Sequence, residues 1–276
     1  MIRFPNCKIN LGLHILGKRA DGYHDLETVF YPLYIKDALE IIPLQNEAKP
    51  KLSLSGFSVS GDDSNNLCIK AWHLLKADFP ELPFVNIHLH KAIPMGAGLG
   101  GGSADGTAAL MILNNIFNLQ LSSESLAEYA LQLGSDCPFF IYNKPLFATG
   151  RGELLQPVNI NLNDFYFYIV NPGIHVNTSE AFAQLQPINH VTPLFQIIQQ
   201  PIETWKNTLI NDFEEGILKR YPLIADAKHK LYQHGAVYAA MSGSGSTVFG
   251  IFKKEPQPLS FPDVFFVKII SANIAS

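Results

Sequence analysis

The sequence lacks most of the features that mark secreted, membrane and metal-bound proteins. Only three of its 276 residues are cysteines, Cys7, Cys68 and Cys137, and no C-x-x-C pair occurs, so neither a disulfide framework nor a zinc site is predicted. No stretch approaches the roughly 20 apolar residues of a membrane span, and residues 1–8 lack the apolar segment of a signal peptide. A reducing cytoplasm is therefore the predicted location.

Charge of either sign is also scarce. Charged residues make up 16% of the chain and the formal net charge is -4, which gives no general attraction to nucleic acid or to an anionic membrane. Hydrophobic residues make up 47%, enough to bury a sizeable core in one large domain or two smaller ones. The composition thus predicts a globular protein in which an anionic ligand would need a local cluster of donors.

One glycine-rich stretch separates two regular patterns. Before it, residues 85–90 alternate like a strand, and after it residues 108–117 have the apolar spacing of an amphipathic helix. Glycine backbones can converge on an anion, and the start of a helix adds its positive dipole end, so a phosphate site is predicted. A flexible linker is less consistent with two packed flanks. The residues of this glycine loop are Pro94, Met95, Gly96, Ala97, Gly98, Leu99, Gly100, Gly101, Gly102, Ser103 and Ala104.

Two familiar phosphate-binding patterns overlap the glycine loop, and both are incomplete. Gly96, Gly98 and Gly101 satisfy G-x-G-x-x-G, but the acidic residue that a dinucleotide site needs about 20 positions later is missing. The pattern G-x-x-x-x-G-K-[ST] has Gly102 where it needs lysine. The loop can therefore offer backbone donors and the Ser103 hydroxyl, but the cation for a transferred phosphate must come from elsewhere in the chain.

The first strand pattern, residues 7–16, carries a lysine. Its apolar residues alternate, which places Lys8, Asn10 and His14 together on the other face. A lysine on a strand is most often a solvated edge residue. The asparagine that faces the same way favours a functional role instead.

Several polar residues have both a structural and a functional interpretation. Tyr23 and His24 follow a glycine in a polar loop, and they could be surface residues or could stack on a base and hydrogen-bond its edge. Asp136 follows a helix end and precedes a Cys-Pro bond, so it could be a helix cap, an Asx-turn residue or a reactive carboxylate held in a fixed turn. His88 and His90 share the polar face of a strand, where a solvated face is favoured over a metal site because no carboxylate or cysteine is near.

The remaining first-half patterns predict small elements. Leu39–Pro43 and Lys51–Ser55 have the character of short antiparallel strands. A helix is predicted to start near residue 64, with Ser64 or Asn65 as its cap, and the adjacent Asn65 and Asn66 are typical cap residues.

In the second half, a domain boundary is predicted near Gln156, where the chain becomes polar before a new strand at residue 165. Residues 242–247 alternate serine and glycine between two strand-like runs, which predicts a tight loop that approaches a ligand or the glycine loop. A single helix is predicted to carry the core-facing stripe Trp205, Leu209, Phe213 and Ile217.

The glycine loop and the motif 239–245 (AAMSGSG) together resemble the galactokinase, homoserine kinase, mevalonate kinase and phosphomevalonate kinase superfamily. Within it, four further motifs resemble the 4-diphosphocytidyl-2-C-methyl-D-erythritol kinases of the non-mevalonate isoprenoid pathway. These motifs are residues 8–13 (KINLGL), 19–24 (RADGYH), 134–139 (GSDCPF) and 177–178 (NT).

The resemblance implies an α+β fold with two lobes and an active site between them. Residues 1–156 would form an ATP-binding domain like domain 2 of ribosomal protein S5, and residues 157–276 a ferredoxin-like domain. The implied reaction is ATP-dependent phosphorylation of the 2-hydroxyl of the cytidine-diphosphate-linked methylerythritol, with Mg²⁺ as cofactor. Another small-alcohol kinase, such as homoserine or mevalonate kinase, and a non-catalytic nucleotide-binding sensor are the alternatives; the 22–24 loop argues against the first, and retention of Lys8 and Asp136 against the second.

The resemblance also implies roles for individual residues. Asp136 would be the general base, and Lys8 the cation that lowers the pKa of the substrate hydroxyl and stabilises the transferred phosphoryl group. The glycine loop would bind the ATP phosphates, with Ser103 near magnesium, although many members have a second serine where this chain has Ala104. The adenosine would lie near Asn65 and Asn66. The substrate would be bound by Asn10, Tyr23, His24, Thr178 and Phe182, with Tyr23 and Phe182 on the two faces of the cytosine; an apolar helix residue such as Phe182 is more often part of a core.

Overall fold

The computed structural model describes residues 1–45, 48–58, 62–183, 185 and 190–272. Its contacts divide the chain into two compact units, each assembled from separate stretches of sequence. The first unit comprises Met1–Cys7, Ile35–Met95 and Gly100–Lys144, and the second comprises Lys8–Tyr34, Gly96–Leu99 and Pro145–Ser276.

Strands and helices both contribute, which confirms the predicted α+β class. The strands are β1 (Ile2–Arg3), β2 (Asn6–Lys18), β3 (His24–Lys36), β4 (Ala38–Pro43), β5 (Lys51–Gly56), β6 (Val85–Lys91), β7 (Leu146–Thr149), β8 (Leu154–Pro157), β9 (Tyr166–Asn171), β10 (Tyr238–Met241), β11 (Val248–Phe252) and β12 (Phe266–Ser271). The helices are α1 (Leu67–Asp78), α2 (Gly101–Ile116), α3 (Ser123–Leu133), α4 (Cys137–Tyr142), α5 (Thr178–Ala183), α6 (Leu194–Ile197), α7 (Ile202–Thr208), α8 (Glu214–Arg220) and α9 (Pro222–Gln233).

The first unit contains a four-stranded sheet in the order β1-β4-β6-β5. The two short strands predicted at Leu39–Pro43 and Lys51–Ser55 are present as β4 and β5, and they run in opposite directions with β6 between them, since β4 is antiparallel and β5 parallel to β6. β5 is parallel to β6 because α1 lies between them in the chain, and such a crossover brings the next strand back in the same direction. The core between this sheet and helices α1 to α3 is apolar and fully buried at positions such as Leu39, Leu75, Ile87, Leu113 and Ala130.

The opposite face of this sheet is polar. His88 accepts or donates hydrogen bonds with the hydroxyls of Ser53 and Ser55, at 2.8 and 3.1 Å, and His90 lies 3.0 Å from the Ser55 hydroxyl. Within the described ranges, no cluster of three or more histidine, cysteine or acidic side chains could hold a metal ion. The two histidines therefore belong to a hydrogen-bonded surface.

The cap of α1 lies one residue beyond the predicted start. Asn66 is the N-cap, and its side chain accepts a hydrogen bond from the Cys68 amide at 2.9 Å. Residues 63–65 form a short 3₁₀ turn in front of it, which Asp62 caps through the Ser64 amide. The prediction of Ser64 or Asn65 as the cap is wrong because this extra turn precedes the helix.

The second unit contains two sheets, β2-β3-β7-β8 and β10-β11-β9-β12. The sheet β10-β11-β9-β12 is antiparallel throughout. When its strands are numbered in chain order, with β9 as strand 1, the order across the sheet is 2-3-1-4, which is that of a ferredoxin-like fold. No helix occurs in residues 253–265, which join β11 to β12. The domain boundary predicted near Gln156 stays a prediction, and Gln156 itself lies in β8.

The predicted helix from residue 205 to 217 is divided into α7 and α8. The intervening residues leave the helical path and pair with β2, since the Leu13 amide donates to the Ile210 carbonyl and the Asp212 amide donates to the Leu13 carbonyl, both at 2.9 Å. The apolar spacing is thus shared by two short helices with a strand-like bridge between them. No helix in the described part of the chain is long and apolar enough to cross a membrane.

Candidate active site

The glycine loop turns through left-handed backbone conformations. Gly96, Gly98 and Gly100 have φ values of +59°, +76° and +69°, and α2 begins at the next residue. A side chain at position 98 would also collide with protein, because its Cβ would lie 2.0 Å from the Ser242 carbonyl oxygen. Alternating backbone conformations of this kind point successive N–H groups into one concavity, and the helix start adds to its positive potential.

The serine-glycine loop at residues 242–247 packs against the first part of the glycine loop. The Ser242 hydroxyl donates to the Gly98 carbonyl at 2.8 Å, and the Thr247 amide donates to the Ala97 carbonyl at 3.2 Å. Asn211 holds the same loop from the other side, since its amide group donates to the carbonyls of Met241 and Gly243, both at 2.8 Å. The structure thus confirms a tight loop that approaches the glycine loop, and not a linker.

Lys8 is buried, with 3% of its surface exposed, so the solvated-edge interpretation is wrong. The strand is covered on both faces from Asn6 to His14. The Lys8 amide donates to the Leu99 carbonyl at 2.9 Å, and its ammonium donates to Asn10 Oδ1 at 2.6 Å. The ammonium also lies 4.9 Å from the centre of the Phe30 ring. These contacts restrain the Lys8 ammonium, so its positive charge can stabilise negative charge at one fixed position.

Asp136 occupies the residue before α4 but does not act as its cap. Its backbone is helical and its side chain makes no capping hydrogen bond to the first turn. The cap interpretation is therefore wrong. Next to it, Cys137 is buried, and burial raises the pKa of its thiol to about 12 although a hydrogen bond with Ser103 acts in the opposite direction. This cysteine is consequently a thiol and not a nucleophile.

Four of the predicted nucleotide-binding residues line one cavity of the first unit. The cavity has a volume of about 190 Å³, and Asn65, Asn66, Met95 and Gly102 all contribute to its wall. An added Cβ at Gly102 would have no heavy atom within 4 Å, so this residue faces open space. The buried residues Lys91 and Asp105 also line this cavity.

A buried ion cluster beside this cavity went unpredicted. Lys91 donates to Asp37 Oδ2 and, at 2.7 Å, to Asp105 Oδ2, while Asp37 Oδ1 accepts from the amides of Ala92 and Ile93. Burial raises the pKa of Asp105 to about 8, although the neighbouring Lys91 charge opposes that shift. The signal was present in the sequence, since Lys91 continues the buried alternation of residues 85, 87 and 89.

All five predicted substrate residues lie in the second unit. His24 stacks on Phe182, with ring centres 4.4 Å apart and planes 13° apart, whereas Tyr23 is 55% exposed and has the Arg151 guanidinium 4.7 Å from its ring centre. Thr178 lies one turn before Phe182 in α5, and its hydroxyl is 3.1 Å from the Ser244 hydroxyl. Arg151 was missed because an arginine in a turn carries no distinguishing pattern.

The oxygen and the nitrogen of the Asn10 side-chain amide are both hydrogen-bonded. Its Oδ1 accepts from Lys8, and its Nδ2 donates to Thr28 Oγ1 at 3.0 Å. Its predicted contact with substrate stays a prediction, but these bonds also make it a support for Lys8. Thr28 and Ser242, both fully buried, were not predicted as parts of the site.

Comparison with known proteins identifies the family. Residues 66–144 match the GHMP kinases N terminal domain, and residues 197–260 match the GHMP kinases C terminal domain. The 4-diphosphocytidyl-2-C-methyl-D-erythritol kinase of Bacteroides fragilis strain YCH46 is 52% identical over 257 residues, which cover 92% of this chain and 93% of that protein.

Solved structures agree with this result. A crystal structure of 4-(cytidine 5'-diphospho)-2C-methyl-D-erythritol kinase is 30% identical with a TM-score of 0.76, covering 91% of this chain and 89% of that one. Homoserine kinase from Cytophaga hutchinsonii is similar in fold alone, at 15% identity and a TM-score of 0.65 over 90% of this chain and 85% of that one. With half of its residues shared along nearly its whole length with such a relative, the chain belongs to the 4-diphosphocytidyl-2-C-methyl-D-erythritol kinase family of the GHMP kinases.

Proposed function

We propose that the protein transfers the γ-phosphoryl group of ATP to the 2-hydroxyl of 4-diphosphocytidyl-2-C-methyl-D-erythritol. The observation that carries this proposal is the 52% identity to the Bacteroides fragilis kinase over 92% of the chain. The left-handed glycine loop at the start of α2 supports it, because that geometry suits a polyphosphate.

Asp136 and Lys8 supply the chemistry in this proposal. Phosphoryl transfer requires mainly positioning and charge stabilisation. Asp136, immediately before α4, accepts the proton of the attacking hydroxyl, because a carboxylate is a group that can serve as a general base. Lys8 stabilises the negative charge on the attacking oxygen and the phosphoryl group, and its buried setting strengthens that effect.

The glycine loop binds the ATP phosphates, and the cavity lined by Asn65 and Asn66 accepts the nucleoside. The space that a Cβ at Gly102 would occupy is open, which is consistent with close approach of a ligand to the backbone there. Ser103, in the first turn of α2, has the hydroxyl oxygen that a hard cation prefers. Ser103 would help to hold Mg²⁺, which would neutralise negative charge on the phosphates.

The cytidine end is recognised by the aromatic residues of the second unit. Arg151 covers one face of the Tyr23 ring, so a base can stack on the other face only. His24 and Phe182 are stacked on each other, so a base that contacts Phe182 on that face would have to displace His24. Thr178 provides a hydroxyl beside the serine-glycine loop.

The proposed setting is a reducing cytoplasm, with a small-molecule substrate and no nucleic acid or membrane partner. None of the three cysteines forms a disulfide and all three are buried, which is consistent with a reducing compartment. The net charge of -4 is consistent with the absence of a polyanionic partner.

A coupled assay of ADP release tests the proposed function. The purified protein is given ATP, Mg²⁺ and 4-diphosphocytidyl-methylerythritol, with homoserine and mevalonate in parallel reactions. We expect release of ADP with the cytidine compound alone. Turnover of homoserine or mevalonate would favour another small-alcohol kinase, and ATP binding without any turnover would indicate a nucleotide sensor.

A further inference from the structure

A chain of buried hydrogen bonds leads away from Lys8. The Lys8 ammonium donates to Asn10 Oδ1 at 2.6 Å, Asn10 Nδ2 donates to Thr28 Oγ1 at 3.0 Å, and Thr28 Oγ1 donates to the Gly12 carbonyl at 2.6 Å. All three side chains are buried, with Thr28 fully inaccessible. The chain therefore connects Lys8 on β2 to a hydroxyl on β3 without an exposed link.

The direction of each bond is fixed by the chemistry of its ends. A backbone carbonyl can only accept, so the single hydroxyl proton of Thr28 goes to Gly12. Toward Asn10, Thr28 can then only accept, which requires the NH₂ group of the asparagine on that side. The asparagine carbonyl consequently faces Lys8, whose ammonium can only donate.

We propose that Thr28 is a positioning residue that sets the orientation of the Asn10 amide and, through it, the position of the Lys8 ammonium. Without the Thr28 hydroxyl, the amide loses one of the two bonds that distinguish its ends, and only the Lys8 ammonium still opposes its rotation. A rotated amide would direct its NH₂ group at the ammonium, and Lys8 would be displaced by the repulsion. This inference rests on the proposed function, in which Lys8 acts on the transferred phosphoryl group.

Ser242 cannot substitute for Thr28 in this role. Its hydroxyl lies 2.8 Å from the Gly98 carbonyl but 3.4 Å from Asn10 Oδ1, so its proton is committed to Gly98. The same hydroxyl accepts from the Asn10 backbone amide at 3.2 Å. Ser242 therefore fixes the backbone of Asn10, whereas Thr28 holds the NH₂ end of its side chain and so keeps the carbonyl end toward Lys8.

The test compares Thr28→Val, which removes the hydroxyl and keeps the branched shape, with Thr28→Ser, which keeps the hydroxyl. We expect Thr28→Val to lower kcat by about 10- to 100-fold, because misplacement of a catalytic group by about 1 Å costs this much. KM for both substrates should change little, since Lys8 acts in the transition state. Thr28→Ser should restore kcat.

Two measurements separate positioning from general damage. Tyr168→Phe removes another buried hydroxyl of the same unit, one that accepts from the Leu259 amide, and should keep kcat even where it lowers the melting temperature. In a Lys8→Ala background, Thr28→Val should have no further effect on kcat, because the group that it positions is gone.

The inference and the proposed function fail in different ways. If the wild-type protein does not phosphorylate the cytidine substrate, the proposed function is wrong. If the wild type is active and folded Thr28→Val keeps its kcat, or Thr28→Ser loses as much as Thr28→Val, then Thr28 does not position Lys8. If Thr28→Val does not fold, Thr28→Ala replaces it as the variant without a hydroxyl. A folded Thr28→Ala that keeps its kcat, or a Thr28→Ser that loses as much kcat as Thr28→Ala, would then contradict the proposal.

Discussion

Asp136→Asn tests the general base while keeping the size of the side chain. An amide cannot take up the hydroxyl proton, so we expect turnover to fall by about 10² to 10⁴-fold, the usual contribution of a general base. The fold should persist because asparagine has nearly the same size and shape as aspartate at this position before α4. Rapid-quench or steady-state kcat is the measurement, and calorimetric ATP affinity should be unchanged.

A matched variant accounts for the change in charge. Asp78→Asn also removes one negative charge from the first unit, where Asp78 accepts a hydrogen bond from the Tyr129 hydroxyl at the surface. It should retain full kcat. Near-normal turnover in folded Asp136→Asn would show that Asp136 is a structural turn residue.

Tyr23→Ala tests recognition of the cytosine. Base stacking on an aromatic ring contributes about 1 to 3 kcal/mol, so KM for the cytidine substrate should rise by about 5- to 150-fold. KM for ATP should change little, because the residues predicted to contact adenosine are Asn65 and Asn66. Tyr23→Phe keeps the ring and its contact with Arg151, and it should resemble the wild type. Equal increases in both KM values would refute the assignment.

At the scale of elements, the start of α2 contains adjacent glycines with opposite surroundings. An added Cβ at Gly101 would lie 3.0 Å from Ile93 Cγ2 and 3.3 Å from the Lys91 ammonium, whereas one at Gly102 would meet open space. Gly101→Ala should therefore overpack the core and cost about 1 to 3 kcal/mol of folding free energy.

Gly102→Ala, in contrast to Gly101→Ala, is expected to increase the stability of the fold. It replaces a helical glycine and should stabilise the fold by roughly 0.5 to 1 kcal/mol, while its methyl group obstructs the predicted phosphate site. A higher melting temperature combined with weaker calorimetric ATP affinity is the expected signature. Unchanged ATP affinity would mean that the phosphates do not approach Gly102.

The elements differ in how far their sequence determines them. β6, the glycine loop and α2 were predictable from sequence, because strand-like alternation, a glycine-rich segment and helical apolar spacing follow one another directly along the chain. α7 and α8 were not separable, because the break between them arises from pairing with β2, about 200 residues earlier in the chain. Local spacing contains no information about such a distant partner.

The same limit applies to the site. Motif resemblance selected Lys8 and Asp136, but the burial of β2 from Asn6 to His14 depends on tertiary packing, and the local pattern favoured a solvated edge for Lys8. The stacking of His24 on Phe182 was not predicted, because the two rings are distant in sequence and local pattern contains no information about their contact.

At the scale of the whole molecule, stability should decrease in mild acid. His14 is buried, stacks on His190 at 3.6 Å between ring centres, and has no hydrogen-bond partner for either ring nitrogen among the described residues. Burial, together with repulsion by His190, lowers the pKa of His14 to about 4. The unfolded chain takes up this proton near pH 6.5, so folding stability is lost as the pH falls from about 6.5 to about 4, by about 3 kcal/mol for this group.

Urea unfolding at several pH values measures this loss, and His14→Phe provides the control. Phenylalanine keeps a flat ring against His190 and cannot take up a proton, so the variant should lose less stability over the same range. The neighbouring His190 and Asp212, 2.9 Å apart, remain as titratable groups in both proteins. Parallel pH profiles for the wild type and the variant would contradict the role of His14.

The interleaved path of the chain has a consequence for synthesis. Every strand and helix of the first unit lies within residues 1–144, but β2 and β3, made early, belong to a sheet completed by β7 and β8. Because chains emerge from the ribosome amino end first, we expect the first unit to fold while β2 and β3 remain a two-stranded ribbon, which is marginally stable alone. Limited proteolysis of stalled nascent chains would detect this state, and protection of β3 before residue 149 emerges would exclude it. The strand that carries Lys8 would then be among the first segments synthesised and among the last to be stabilised by a complete sheet.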